Sequence, residues 1–419
     1  MGYQQEKIGH QNSSSSSPRV AIFTHDAYGL GHVRRCLNII QALARRAPNA
    51  AILLITGSPA VNLFSSLPPN ADYIKIPTIV TSGTQSAQPP MLPVGLAELS
   101  FLRRRLIREA LVTFAPDVFL VDNFPLGAKL ELLPSLLELQ RGRTRIVLGL
   151  RDIADPPNKV RADWGREGLY GILDRYYDSI LVYGMREVLD IAEAYCLFPA
   201  IAAKVRYCGY VTSEVFQLRS PEEIREELGL KRPFVFASVG GGGDGFPLLQ
   251  MVLRSLAMLP AASALVVTGA FMNPEERRQL ESLAAIRSGV VVRGFVSDVP
   301  SYLAAADVVV TMGGYNTTAE ILALRPRAIV VPRHWKSGEH TNRAKSAGGD
   351  MEQLVRAQAL ANLGYIDLIH PADLTAEKLA ERMIAALESE RQEPKIQVNV
   401  SGVQFVAEHL LALARNEEG

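Results

Sequence analysis

The chain has 419 residues, 48% of them apolar and 21% charged, with a formal net charge of +1. That length exceeds one ordinary core and suits two domains, and the balanced charge gives no basis for nucleic acid as a partner. Cys36, Cys196 and Cys208 are odd in number and lack metal-ligand spacing, so they read as reduced thiols of a cytoplasmic protein, not a disulfide frame or a zinc site.

No apolar run reaches transmembrane length, and the segment up to Ser17, which ends in a five-serine stretch, is read with Pro18 as a disordered tail, 1–18. From Arg19 the rhythm is strand, turn, helix. Strands are predicted at Val20–Thr24, Ala51–Thr56, Tyr73–Ile76, Val118–Val121, Ile146–Leu150 and Ser179–Val182. A second series follows at Phe234–Ser238, Ala264–Val267, Val290–Arg293, Val308–Thr311 and Ala328–Val331. Most are continuous apolar runs, as parallel strands covered on both faces require, and helical patterns separate them. The predicted class is therefore α/β, with two doubly wound, Rossmann-like domains facing a cleft. The boundaries are set at 19–212 for the first domain and 213–395 for the second. The helical stretch 396–419 is expected to pack back on the first domain.

Each half carries a glycine turn after an apolar strand. The first is Asp26-Ala27-Tyr28-Gly29-Leu30-Gly31-His32, and the second is Gly240-Gly241-Gly242-Gly243-Asp244-Gly245. A strand that breaks into glycines and opens a helix presents bare N–H groups to an anion, and phosphate is the expected ligand of Gly241, Gly242 and Gly243. Gly240, Gly242 and Gly245 fit G-x-G-x-x-G, but the next strand ends Val267-Thr268-Gly269 without the acid that a dinucleotide ribose needs. The first turn has Arg34 where a third glycine would stand. A nicotinamide cofactor is therefore disfavoured, and no P-loop signature is present. Asp244 is expected to cap the helix that carries Pro247 in its first turn.

Two segments break the rhythm. Pro77 to Leu99 is irregular and rich in small and polar residues, and is expected to be a functional loop. Arg333 to Asp350 is basic and follows a strand, so it should line the cleft. The run Phe101-Leu102-Arg103-Arg104-Arg105-Leu106-Ile107-Arg108 is read as the solvated back of a helix, with contact to anionic lipid as the alternative.

The most specific pattern is Val292-Arg293-Gly294-Phe295-Val296-Ser297-Asp298, then Ala306-Asp307, then Gly313-Gly314-Tyr315-Asn316-Thr317-Thr318-Ala319-Glu320. It resembles the donor half of transferases of the glycosyltransferase-B fold, and is most similar to the peptidoglycan lipid II N-acetylglucosaminyltransferase and diacylglycerol glycosyltransferase families. The Gly29-Leu30-Gly31-His32 turn resembles the amino-terminal turn of the same group. The resemblance implies an inverting transferase with a UDP-sugar donor as co-substrate and no further cofactor. Its acceptor would be a small molecule or a lipid-linked one, with peripheral membrane contact in the latter case. It also implies that Gly31 lies on the donor side, that the backbone at Val296 meets uracil and that Glu320 meets ribose. Gly313, Gly314, Asn316 and Thr317 would meet the diphosphate, and Glu352 and Gln353 the donor sugar. The basic connection 333–350 is longer than in the lipid II enzyme, which weakens the carry-over to Glu352 and Gln353.

In this frame His32 is the candidate general base, with its pKa lowered by the helix amino terminus, and Asp122 is the carboxylate that orients it. Their plain alternatives are a packed histidine and a strand-end turn residue. Glu320 has a rival reading too, because Thr317-Thr318-Ala319-Glu320 fits a capping box. Arg151, Arg333 and Arg356 are candidates for acceptor or phosphate contacts. No Asp-x-Asp motif is present, so no metal is assigned. A UDP-sugar hydrolase similar to that of pseudaminic acid synthesis, a 2-epimerase of the same fold and a non-catalytic sugar-nucleotide-binding subunit remain open.

Overall fold

A computed structural model of the chain describes residues 17–24, 31–59, 67–82, 86–88, 92–214, 216–333, 351–390 and 393–416. The strands are β1 (Arg19–Thr24), β2 (Ala51–Thr56), β3 (Ala71–Lys75), β4 (Val80–Ser82), β5 (Ser86–Gln88), β6 (Val118–Asp122), β7 (Arg145–Arg151), β8 (Ser179–Tyr183), β9 (Val205–Tyr207), β10 (Phe234–Ser238), β11 (Ser263–Val267), β12 (Val290–Arg293), β13 (Val308–Thr311), β14 (Ala328–Val330) and β15 (Asp367–Leu368). The helices are α1 (Gly31–Arg46), α2 (Leu96–Phe114), α3 (Leu133–Leu139), α4 (Pro157–Glu167), α5 (Leu169–Tyr176), α6 (Ile191–Ala194), α7 (Pro199–Ala202), α8 (Pro221–Leu228), α9 (Phe246–Ser255), α10 (Pro274–Ala285), α11 (Val299–Ala305), α12 (Tyr315–Leu324), α13 (Glu352–Asn362), α14 (Ala376–Glu388) and α15 (Gly402–Arg415).

Two parallel sheets form, seven-stranded β3-β2-β1-β6-β7-β8-β9 and six-stranded β12-β11-β10-β13-β14-β15. Both reverse direction beside their first strand, between β1 and β6 and between β10 and β13, which is where open α/β sheets bind ligands. The eleven strands read from the sequence are all present. Sequence reading misses β9 and β15, which are too short to show a pattern, and the β4–β5 hairpin inside the segment read as irregular. It also extends that segment too far, since α2 has already begun at Leu96.

The strands are apolar on both faces because helices cover both. Val20 and Ile22 pack with Ile39, Ile40 and Leu43 of α1, whereas Ala21 and Phe23 face Ile107 and Leu111 of α2. Each such fully buried aliphatic side chain contributes about 1.5–3 kcal/mol. On the α1 side the layer is closed by Val406, Leu410 and Leu411 of α15, so the chain returns from the second sheet to the core of the first. Backbone bonds guide that return, with Tyr210 N–H donating to Asn399 O (2.8 Å) and Gly402 N–H to Tyr210 O (3.1 Å). Gly402 has no side chain where a Cβ would stand 2.4 Å from Gly209 O.

Along α2, Arg103 turns inward to the Glu131 carboxylate (2.6 and 2.8 Å). Phe101, Leu102 and Leu106 turn outward, at 57%, 42% and 40% exposure. The outer face of this helix is therefore partly apolar, which departs from the solvated back expected of a basic run.

Candidate active site

At the turning point of the first sheet, Thr24 lies in register with Asp122, and the chain after β1 re-enters as α1 at Gly31. His32 stands in the first turn of that helix. Its Nδ1 is 2.6 Å from Asp122 Oδ2. Asp122 is fully buried, which pushes its pKa up, but the Arg35 guanidinium and the His32 hydrogen bond override this and hold it below the usual carboxylate range. An ionised carboxylate can only accept, so the 2.6 Å contact is satisfied by the tautomer with its proton on Nδ1, which leaves Nε2 as an unprotonated base; Arg35 Nη2 also stands 3.0 Å from Nδ1. Burial, opposed by Asp122 and assisted by Arg35 and Arg151, lowers the His32 pKa to about 4. The lowering expected from the sequence is present, but its first cause is burial. The Phe124 ring, 43% exposed, lies beside the imidazole with centroids 6.2 Å apart.

Arg35 is the main residue that sequence reading leaves out of the site. It grips Asp122 from Nε (3.0 Å) and Nη2 (2.8 and 2.9 Å) and is 1% exposed. Its guanidinium lies between the rings of Tyr183 and Tyr315, 5.0 and 4.9 Å from their centroids. Gly149 makes room for this stack, since a Cβ there would stand 1.8 Å from the Tyr183 hydroxyl. The available signal was spacing, because a residue three positions after His32 shares its helix face.

At the turning point of the second sheet, Ser238 pairs with Thr311, and the turns 240–245 and 313–314 follow. Gly242 (φ +90°) is buried, and a Cβ on it would sit 2.0 Å from Thr268 O. Its lack of a side chain thus serves packing of one turn on its neighbour as well as leaving bare backbone. Gly241 and Gly243 are half-buried, and Gly241 O accepts from Phe271 N–H (2.8 Å). Asp244 does not cap α9, whose cap position is Gly245 with no side-chain bond, and it forms an ion pair with Arg333. Arg333 N–H donates to Gln353 Oε1 (2.9 Å), which gathers this turn, the end of β14 and the start of α13.

Helix α12 starts at Tyr315 with Gly314 as its cap residue, so Thr317 is already inside the helix and the capping-box reading of Glu320 fails. Gly313 (φ +71°) packs where a Cβ would meet Val330 Cγ1 at 2.7 Å. Glu320 is 4% exposed, and burial raises its pKa against the lowering effect of Arg34, whose Nη2 donates to Oε1. Val296, with Phe295, Ser297, Asp298, Arg293 and Tyr302, lines a cavity of about 540 Å³.

The two sheets meet through charged and polar ties. Arg356 donates to both Asp152 oxygens (2.7 and 2.8 Å) and to Glu352 Oε1 (2.5 Å). Arg151 reaches Glu352 Oε2 at 2.6 Å. Burial pushes Glu352 up, but Arg151 and Arg356 bring it below its ordinary value. Arg356 is 1% exposed and its fork is occupied, so it is a tie between domains and not an open phosphate contact. Glu352 and Arg151 are likewise taken by each other in this arrangement. Asn316 Nδ2 donates to Gly31 O (2.9 Å), and the Tyr315 hydroxyl donates to Tyr183 O (2.8 Å) while accepting from Val211 N–H (3.0 Å). The turn Asp26–Leu30 and the basic loop after Arg333 lie outside the described residues. Among the described residues there is no group of three or more His, Cys, Asp or Glu side chains that could hold a metal ion, and no helix is long and apolar enough to cross a membrane.

Comparison with known proteins agrees with this architecture. Residues 236–410 match the glycosyltransferase family 28 C-terminal domain. A UDP-N-acetylglucosamine–N-acetylmuramyl-(pentapeptide) pyrophosphoryl-undecaprenol N-acetylglucosamine transferase of an Acidovorax species is 25% identical over 58% of this chain and 58% of its own length. The chain thus spans less than two thirds of that relative. The corresponding transferase of a Polaromonas species is 23% identical over 88% of this chain and 84% of its own length. Among solved structures, Acinetobacter baumannii MurG superposes with a TM-score of 0.54 at 15% identity, covering 95% of this chain and 99% of that one. A putative UDP-N-acetylglucosamine 2-epimerase of Listeria monocytogenes gives 0.60 at 13%, covering 96% and 97%. The chain has two domains in the arrangement of the glycosyltransferase-B fold, matches the glycosyltransferase family 28 C-terminal domain over 236–410 and resembles the lipid II N-acetylglucosaminyltransferases.

Proposed function

We propose that the protein is an inverting, metal-independent glycosyltransferase that moves a sugar from a UDP-sugar to an acceptor hydroxyl. The observation that carries this reading is His32, held by Asp122 with Nε2 unpaired among the described residues, at the sheet turning point that faces the other domain. Nε2 takes the acceptor proton as the oxygen attacks the anomeric carbon. The bond from that carbon to the diphosphate breaks, and UDP leaves with its electron pair. The gain from such a base is typically about 10²–10⁴-fold. The charge that develops on the diphosphate meets the bare turn at Gly313–Gly314 and the amino terminus of α12, which supply stabilisation without a metal. Glu320 reads ribose, and the cavity at Val296 takes the base.

The test is transfer from UDP-sugars to a panel of hydroxyl acceptors, with and without EDTA. Transfer that persists in EDTA and collapses in His32→Ala supports the reading. Stoichiometric free sugar released without any acceptor would replace it with hydrolysis. The exposed Phe101, Leu102 and Leu106, joined by Leu130 at 50% exposure near Arg104, favour a lipid-linked acceptor approached from a membrane surface. Co-sedimentation with anionic phospholipid vesicles checks this, and Phe101→Asp is expected to abolish it.

A further inference from the structure

Arg34 lies two residues beyond His32 on α1, in the first domain, and its guanidinium donates to Oε1 of Glu320 on α12, in the second. Arg34 keeps 25% of its side chain exposed, whereas the Glu320 side chain keeps 5%. The other carboxylate oxygen, Oε2, is buried and has no hydrogen-bond partner among the described residues. A buried acceptor left unpaired costs about 1–3 kcal/mol, so a site that keeps one is set up for a donor from outside the chain.

We propose that Arg34 is a positioning residue for the donor nucleoside, fixing Glu320 through Oε1 so that Oε2 is presented to a vicinal diol such as that of ribose. The inference rests on the donor reading above, since it takes a ribonucleotide as the ligand. Among the described residues two charged groups face Glu320: Arg34 from α1 and Asp298 at the cap of α11. Asp298 is itself paired with Arg219 (3.2 Å) and opposes ionisation of Glu320, as burial does, so Arg34 is the cation that keeps the carboxylate an acceptor. Because Arg34 and His32 share one helix turn, the contact that orders the nucleoside also holds the catalytic helix against the donor domain. Donor binding and placement of the base are thereby linked.

The experiment is calorimetric titration of the full chain with UDP and with 2′,3′-dideoxy-UDP, at several pH values from 5.5 to 8, for the wild type, Arg34→Met, Arg34→Lys and Glu320→Gln. Loss of one charge-assisted contact predicts roughly tenfold weaker UDP binding for Arg34→Met at pH 7. That loss should deepen as pH falls, with Arg34→Lys restoring most of the affinity. The wild type should prefer UDP over the dideoxy form, and Arg34→Met should lose that preference. Glu320→Gln should bind weakly with no such pH dependence, which separates the effect from misfolding. UDP binding by Arg34→Met equal to or tighter than the wild type across the range would overturn the role of Arg34 and leave the donor reading standing. Failure of the wild type to bind UDP at all would overturn both.

Discussion

At the carboxyl edge of the first sheet Thr24 lies beside Asp122, and at the same edge of the second Ser238 lies beside Thr311. The strand order at both places is that of a doubly wound sheet, and a helix follows each first strand, α1 after β1 and α9 after β10. At the first, a buried carboxylate recruits Arg35 and His32, and the charges are enclosed by Tyr183 and Tyr315. At the second, the strand ends are hydroxyls, and glycines pack turn against turn with backbone to spare. One topology thus carries a buried charge cluster at the first edge and a glycine-packed turn, tied by the Asp244–Arg333 pair, at the second.

The comparison can be broken most severely at His32. His32→Ala should lower kcat by about 10²–10⁴-fold while UDP affinity stays within about twofold, because the proposed mechanism puts the base at the first edge and the nucleotide at the second. Steady-state kinetics beside calorimetry would show the split. Next is Arg35. Arg35→Met strands the buried Asp122 charge and should destabilise the fold by about 3–5 kcal/mol in urea titration, with Arg35→Lys recovering part of it.

The pH profile sharpens the same contrast. With a folded pKa of about 4 against an ordinary 6.5, His32 is neutral in the native state where the unfolded state binds a proton. It therefore costs nothing above pH 6.5. As pH falls from 6.5 towards 4 it costs progressively more, up to about 3 kcal/mol. Asp122 acts in the same direction, since its lowered pKa gives stability that is lost at still lower pH. Stability of the wild type should thus decline between pH 6.5 and 4 more steeply than that of His32→Gln, and kcat/KM should be flat above about pH 5 and fall below it.

The glycines differ in the same sense. Gly242→Ala should cost about 1–3 kcal/mol, because its Cβ is driven into Thr268 O. Among the described residues Gly31→Ala meets only Asn316 Nδ2 at 3.6 Å and should move stability by less than about 1 kcal/mol. Thermal melts of the two variants would rank them.

What was legible in the sequence followed from local pattern. Buried parallel strands are unbroken apolar runs, and the glycine turns announce where those runs end. His32 and Asp122 could be found because each sits at such an end. Residues whose role depends on the other domain were hidden. Arg356 offers the same letters whether it is solvated or paired with Asp152, and Glu352 looks open until Arg151 arrives from the first sheet. The capping pattern at Thr317 misled because helix α12 starts earlier, at a glycine the pattern does not include. Asp244 fits a cap position in sequence yet pairs with Arg333, a partner far along the chain.

The return of α15 to the first sheet has a consequence for how the protein is made. Ile39, Ile40 and Leu43 are covered by Val406, Leu410 and Leu411, so the first domain cannot complete its own apolar layer as it leaves the ribosome. It must wait, with that seam open, until the whole second domain has been translated. A fragment ending near Thr212 would carry His32 and an unsealed aliphatic stripe, and would be prone to aggregate.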